Sequence, residues 1–321
     1  MSASPAVLHQ ASLCVAARRR IKSYLEQTPA IKSRLSLPDK TALFYKAENF
    51  QRTGSFKFRG ALSKLTSLDT TTPVVTASSG NHGLALSTAA QMTGHQLTVV
   101  LPTTVAKEKL KKIQALGVET VLHSDDSGLA ERHARDLASE QGKVYVSPYN
   151  DETVIAGQGT IALELLEQVP DLDVVFVSIG GGGLISGIGS VIKAFSPQTR
   201  VIGVSAENSA ELAASIRAGK SVSVEHRDTL ADGCAGSVDP DSLTLKLASE
   251  VVDELVDCSE DMIADGIRAI AWEEKMLVEG SAGLALAPWR AKREKYEGLT
   301  SAVVLCGANF DREVIAPVIC E

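Results

Sequence analysis

The sequence lacks the features that mark several large classes of protein. No apolar run reaches the ~18 residues that a membrane-spanning helix needs. The N-terminus, M-S-A-S-P-A-V-L-H-Q, has no charged start leading into an apolar core, so no secretory signal is expected. Basic clusters are scarce. Ala17-Arg18-Arg19-Arg20 reads as the solvated face of a helix, and the net charge of −7 argues against a general nucleic-acid binder. The five cysteines (Cys14, Cys234, Cys258, Cys306 and Cys320) are odd in number, scattered and without a C-x-x-C pair. That pattern fits a reducing cytoplasm and gives no zinc site. The six histidines show no metal-ligand spacing. There is no internal repeat, low-complexity linker or long disordered tail.

What is present is an ordinary globular composition, 44% hydrophobic and 22% charged. The 321 residues exceed the ~250–300 at which single cores tend to split, so two lobes are expected. Short β-branched runs at 73–78, 97–102, 118–123, 143–148, 174–179, 200–206 and 301–307 read as strands. Amphipathic stretches at 82–93, 104–116, 127–141, 155–168, 184–195, 208–218, 260–275 and 281–295 read as helices. This alternation predicts an α/β protein with two open lobes built on parallel sheets, with ligand where strands end and helices begin.

Three strand ends carry unusual loops. In A-S-S-G-N-H-G (77–83), Ser78, Ser79, Gly80 and Asn81 present small side chains and backbone N–H groups at a helix N-terminus. That is a ready anion site; a plain helix cap is the competing explanation. In S-I-G-G-G-G-L-I-S-G (178–187), the four glycines Gly180 to Gly183 follow a strand and open a helix, where their N–H groups would cradle a phosphate. No Gly-Lys-Ser/Thr follows, so this is not a nucleotide P-loop. A dinucleotide site fits weakly, because no acidic residue closes the next strand, V-I-G-V-S-A. The third loop, V-L-C-G-A-N-F-D (304–311), is uninformative alone. Elsewhere, T-G-S-F-K-F-R-G-A (53–61) places Lys57 between Phe56 and Phe58. Lysine is among the least buried residues, so it is either an ordinary surface lysine or an amine held in a dry place for its chemistry.

Taken in order along nearly the whole chain, these segments resemble the fold type II, tryptophan-synthase-β-like pyridoxal-phosphate enzymes, and among them the threonine dehydratase and serine racemase family. K-A-E-N-F-Q-R-T-G-S-F-K-F-R-G-A (46–61) resembles the cofactor-lysine motif and S-S-G-N-H-G (78–83) the substrate-carboxylate loop. V-I-A-G-Q-G-T-I-A-L-E (154–164), the glycine run, T-L-A-D-G (229–233), V-E-G-S-A-G (278–283) and L-C-G-A-N (305–309) follow in the family's sequence. The resemblance implies that residues 1–72 and 150–321 form a large cofactor domain and residues 73–149 a small substrate-side domain. It implies that Lys57 binds pyridoxal 5'-phosphate through a Schiff base and then serves as the base at the substrate Cα. Gly180, Gly181, Gly182, Gly183 and Leu184 would hold the phosphate, and Asn81 the phenolic oxygen. Phe56 would flank the ring, with both phenylalanines as walls, and Cys306 would face the pyridine nitrogen. Ser78, Ser79, Gly80, Asn81 and His82 would surround the substrate. Glu279 would lie near the cofactor without an assigned role. A desolvated lysine has the lowered pKa that such an amine requires. A neutral thiol at Cys306 leaves the ring a weak electron sink, which suits rapid loss of a β-substituent.

The resemblance thus implies an L-serine/L-threonine dehydratase (ammonia-lyase), commonly a homodimer in such families. Ser79 keeps a serine racemase with side elimination as the alternative, since racemases use a serine there as a second acid/base; several 3-hydroxyaspartate dehydratases also have it. Racemases of the family carry a divalent-metal site whose two positions fall here at Ser205 and Glu211. One hard oxygen ligand is lost, and Glu207 could replace it only through a shift of its loop, so no metal is expected. Tyr149 stands where dehydratases have an aromatic and racemases asparagine. The arginine that serves hydroxyaspartate in relatives falls at Ala130, although Arg132 and Arg135 lie on the same helix. A nicotinamide-dependent oxidoreductase is the alternative from another class.

Overall fold

The computed structural model describes residues 3–320. In chain order the first part holds α1 (Pro5–Ile21), β1 (Ala30–Lys32), β2 (Ala42–Lys46) and α2 (Lys57–Leu65). Next come β3 (Val74–Ala77), α3 (Asn81–Thr93), β4 (Leu97–Leu101), α4 (Lys107–Gln114), β5 (Glu119–Leu122), α5 (Ser127–Gln141) and β6 (Val144–Tyr145). The remainder holds α6 (Glu152–Gln168), β7 (Val174–Ser178), α7 (Gly183–Phe195), β8 (Arg200–Ala206), α8 (Glu211–Ala218) and α9 (Leu243–Val251). It ends with β9 (Glu254–Cys258), α10 (Glu260–Trp272), α11 (Gly280–Ala291), β10 (Thr300–Val304) and α12 (Arg312–Cys320).

The strands form two sheets. One has six strands in the order β1-β2-β10-β7-β8-β9, the other four in the order β5-β4-β3-β6. Every pairing is parallel except that of edge strand β1 with β2. The buried strands are near-continuous apolar runs, L-T-V-V-L in β4 and V-V-F-V-S in β7, as expected where helices cover both faces.

Several elements differ from the sequence expectation. The antiparallel β1–β2 pair was not predicted, because three and five residues give too short a period to read. The strand expected at 143–148 pairs over only Val144–Tyr145, and Pro148 and Tyr149 beyond it line the cavity. The helix expected at 281–295 ends at Ala291; Lys292 leaves helical geometry at φ −137° and a 3-10 turn follows. Residues 207–209 form a 3-10 turn before α8 begins. The C-terminal helices α9 and α12 and strand β9 were also missed.

Helix α6 lies between the two cores. Val154 faces the smaller one, Ile161 and Leu165 the larger. Helix α2 buries Phe58, Leu62 and Leu65 in the smaller core against Leu86 of α3. A fully buried Phe or Leu is worth roughly 1.5–3 kcal/mol over exposure, so these three side chains anchor the helix that starts at Lys57.

Candidate active site

The segments that follow β2, β3, β6, β7 and β10 meet around one cavity of about 810 Å³. All five leave their sheets at the carboxyl ends, where open α/β sheets place ligands. Lys57 is the first residue of α2, and its side chain lines the cavity. Its Nζ donates to the Pro148 carbonyl at 2.9 Å and stands 5.2 Å from the centroid of the Phe56 ring. Burial lowers the amine to about 8, with the nearby Cys234, Cys306 and Glu279 partly opposing the shift. An amine so placed is largely free of ion-pair partners and is partly unprotonated near neutral pH.

A buried charge network supports the helix behind it. Arg59, fully buried, donates to both oxygens of Glu48 at 2.7 and 2.8 Å and both oxygens of Glu164 at 2.7 and 2.8 Å. Lys46 donates to Glu164 at 2.6 Å and to the Thr28 carbonyl at 2.6 Å. Two cations thus meet two carboxylates with their hydrogen bonds made, which is the condition for tolerating such charges in a core.

The glycine loop leaves β7 and opens α7. Gly182 sits at φ +88° as the helix cap and provides no side-chain cap. A Cβ at Gly181 would stand 2.5 Å from the Tyr149 ring, so only glycine admits that close approach. The Gly181 carbonyl accepts from Thr244 Oγ1 at 2.7 Å. The trans peptide therefore points the Gly182 N–H the opposite way. Among the described residues, none of the amides from Gly180 to Leu184 has a hydrogen-bond acceptor. Unused N–H groups at a helix N-terminus are the donor set a phosphate needs.

The second loop opens α3 at Gly80, again without a side-chain cap. Ser78 Oγ accepts from the Gly80 amide at 3.2 Å, while the Ser79 hydroxyl has no partner among the described residues. His82 is buried, its Nε2 is 3.1 Å from the Val146 carbonyl, and burial with the Lys57 charge holds it near 3. Its ring is therefore neutral, and Nε2 carries the proton given to that carbonyl. Attraction of a substrate anion at this loop falls to backbone amides. Asn81 is oriented by its neighbours. Asn309 Nδ2 donates to Asn81 Oδ1 at 2.7 Å, and Asn81 Nδ2 donates to both Glu279 oxygens at 3.1 Å.

Glu279 also accepts from the Asn309 amide at 3.1 Å. Burial raises its carboxyl to about 7, opposed by the Asn81 and Asn309 hydrogen bonds. Cys306 Sγ is 3.9 Å from Glu279 Oε1 and 3.6 Å from Ser178 Oγ; burial pushes the thiol well above its usual value, so it is a neutral donor. The donor set fits pyridoxal phosphate. There is an amine for the aldehyde, a ring of unused amides for the phosphate, and Ser178, Ser281 and Cys306 at the floor, with Ser281 Oγ buried and lacking a geometric partner.

All but one of the residues expected around the cofactor and substrate line this cavity: Phe56, Lys57, Ser78 to His82, Gly180 to Leu184, Glu279 and Cys306. Phe58 does not. One helical step past Lys57 it turns into the smaller core, so only Phe56 can wall a ring. Sequence reasoning missed Ser178, Cys234, Ser281 and Asn309. Ser178, Ser281 and Asn309 lie inside the segments 178–187, 278–283 and 305–309, and Cys234 directly follows T-L-A-D-G, but sequence reasoning assigned none of the four a role. Ser205 is buried in β8, and both Glu211 oxygens are occupied by His226 Nε2 at 3.1 Å and the Val238 amide at 2.8 Å. Among the described residues, no group of three or more His, Cys, Asp or Glu is placed to hold a metal ion.

The profile of a family described as "Pyridoxal-phosphate dependent enzyme" matches residues 21–307. The L-threonine ammonia-lyase of Thermotoga maritima is 39% identical over 307 residues, which span 94% of this chain and 76% of that protein. The catabolic L-threonine dehydratase TdcB of Escherichia coli K12 is 39% identical over 284 residues, covering 87% of this chain and 86% of the relative. Among solved structures, maize serine racemase superposes with a TM-score of 0.88 at 30% identity, covering 96% of each chain.

Proposed function

Because the chain belongs to the pyridoxal-phosphate-dependent enzymes, we propose that it is an L-threonine/L-serine ammonia-lyase, releasing a 2-oxo acid and ammonia from a hydroxy amino acid. The observation that carries this is the placing of Lys57, with its amine lowered to about 8, in one cavity with two uncapped helix N-termini. The relatives named as threonine lyases support it over nearly the whole chain.

Bound pyridoxal phosphate supplies an imine and a conjugated ring that accept the electron pair left when a Cα proton departs. The protein's residues do the rest. The amides of Gly180 to Leu184 would hold the phosphate by electrostatics and close approach. Phe56 would wall the ring, and Asn81, its amide held by Glu279 and Asn309, is the residue proposed for the phenolic oxygen. Amides at the start of α3 bind the substrate carboxylate, with Ser78 and Gly80 shaping that turn. Lys57 removes the Cα proton. Cys306 would offer the pyridine nitrogen a neutral thiol rather than a carboxylate, which would leave the ring a weaker sink and favour prompt loss of the β-hydroxyl.

One observation favours a second reading, serine racemase with side elimination. The Ser79 hydroxyl faces the cavity with no partner among the described residues, so it is available as a second acid/base. A 3-hydroxyaspartate dehydratase is less well supported. Arg135 is already engaged by Glu131 at 2.7 Å and Asp239 at 3.4 Å, leaving it poorly placed to meet a second substrate carboxylate. We place the enzyme in the cytoplasm as a homodimer, on the strength of its unpaired cysteines and the habit of the family. The test is 2-oxo acid release from L-threonine and L-serine by cofactor-loaded protein, with chiral analysis of residual serine. Release without comparable D-serine supports the lyase; D-serine forming faster than pyruvate supports the racemase.

A further inference from the structure

From Gly219 to Ser242 the chain has only one 3-10 turn, Asp232–Cys234. Yet residues 232–237 form one wall of the cavity, and a Cβ at Gly180 would meet the Cys234 backbone at 2.8 Å. A stretch with so little regular structure must be held by side chains if it is to keep a wall in place.

Its first half is tied by the Arg227 amide to the Asn208 carbonyl at 2.9 Å and by the Leu230 amide to Glu260 at 2.7 Å, and the hydrogen bonds that hold the 236–238 turn form a closed path. The Gly236 amide donates to Ser209 Oγ at 3.1 Å, and Ser209 Oγ is 2.8 Å from His226 Nδ1. His226 Nε2 is 3.1 Å from Glu211 Oε2, and Glu211 Oε1 accepts from the Val238 amide at 2.8 Å. An ionised carboxylate only accepts, so Nε2 carries the proton. Nδ1 then accepts from the Ser209 hydroxyl, which in turn accepts from Gly236. In this tautomer every donor and acceptor on the path is matched. Ser237 Oγ, 3.3 Å from Nε2, shares the same proton. The path begins and ends on amides two residues apart. Gly236, at φ +119°, supplies the turn that aims both amides the same way. Ser209 and Glu211 are buried, 4% and 6% exposed.

The wall continues from the clip to the glycine loop. The Asp239 amide donates to Tyr149 Oη at 2.9 Å, and the Tyr149 ring lies against Gly181. Asn150 adds to this, donating to Asp239 at 2.9 Å and accepting from the Leu243 amide at 2.9 Å.

We propose that His226 is a positioning residue for the cofactor site: through Ser209 and Glu211 it clips the 236–238 turn, and that turn holds Tyr149 over the phosphate-binding glycines. His226 touches neither substrate nor cofactor. The inference rests on this chain's use of the cavity for pyridoxal phosphate.

The test uses the full chain, stripped of cofactor and titrated with pyridoxal phosphate, alongside trypsin cleavage after the exposed Arg227. In His226→Ala, cofactor affinity should fall about tenfold and cleavage speed up about tenfold, the effect of losing one or two hydrogen bonds. His226→Gln, whose amide can donate to Glu211 and accept from Ser209, should stay within about threefold of wild type on both, under half of that loss. Ser209→Ala should resemble His226→Ala, which guards against a single variant that fails to fold. A change in one readout without the other, or Gln no better than Ala, would overturn the clip. Wild-type protein that takes up no pyridoxal phosphate would overturn the reading of the cavity itself, and the clip with it.

Discussion

Lys46 and Lys57 are both lysines held away from bulk water, on either side of the same turn, and they are treated in opposite ways. Lys46 is fully buried and donates to Glu164, to the Thr28 carbonyl and to Gln168. Glu164 is also held by Arg59. Lys57 has one carbonyl partner, Pro148, and faces a cavity. Burial lowers both amines; Glu48 and Glu164, the latter hydrogen-bonded to Lys46, resist the shift there, while Lys57 is opposed by Cys234, Cys306 and Glu279, none of which it hydrogen-bonds. A buried charge with its hydrogen bonds made is scaffold. A desolvated amine left nearly alone is reactive.

That contrast predicts two kinds of damage. Lys57→Ala should cut 2-oxo acid release by at least about 10⁴-fold, the upper range for loss of a positioned proton-transfer group. Its thermal midpoint should not fall, because no ion pair is broken and the desolvation penalty of the amine is removed. If Lys57→Ala lost less than about 10²-fold, the amine would not be the base. Arg59→Ala should do the reverse. It leaves Glu48 and Glu164 facing each other with only Lys46 between them, and should cost about 3–5 kcal/mol in urea unfolding. A loss below about 1 kcal/mol, the value of an exposed pair, would mean that the network is not the scaffold described.

Smaller effects sharpen the cavity side. Ser79→Ala should remove D-serine formation and leave L-serine elimination within about threefold, less than one hydrogen bond is worth; an equal fall in both would reduce Ser79 to a carboxylate contact. Cofactor capture by the apoprotein should rise with pH and level off above a midpoint of about 8, since only the unprotonated amine attacks an aldehyde. The stability sign follows the same shift. The native amine titrates below the ordinary 10.5, so its desolvation penalty is present below about 8 and is relieved as pH rises from 8 toward 10.5. A capture midpoint near 10.5 would place Lys57 in water.

Much of the site was legible because its parts are local. Four glycines between a strand and a helix, or Ser-Ser-Gly-Asn at a strand end, advertise themselves in a few residues. The two lobes and their parallel sheets followed from strand and helix alternation. What was not legible depends on partners far apart in sequence. Arg59 looks like a surface charge until Glu48 and Glu164 close around it. Phe56 and Phe58 look equivalent, yet helical geometry sends one to the cavity and the other to the core. Glu279 could be placed near the cofactor but given no task; its contacts with Asn81 and Asn309 show it setting the orientation of an amide. The His226 path joins residues 209, 211, 226, 236 and 238 across a loop without periodicity. The strands β1 and β2 were lost for the plainer reason that they are short.

The contrast between the two lysines can be read directly by reducing the cofactor-loaded protein with borohydride and mapping the modified peptide by mass. The pyridoxyl group should be found on Lys57 and be absent from Lys46. Its appearance on another lysine, or on none, would contradict the claim that a desolvated, unpaired Lys57 is the group around which this site is built.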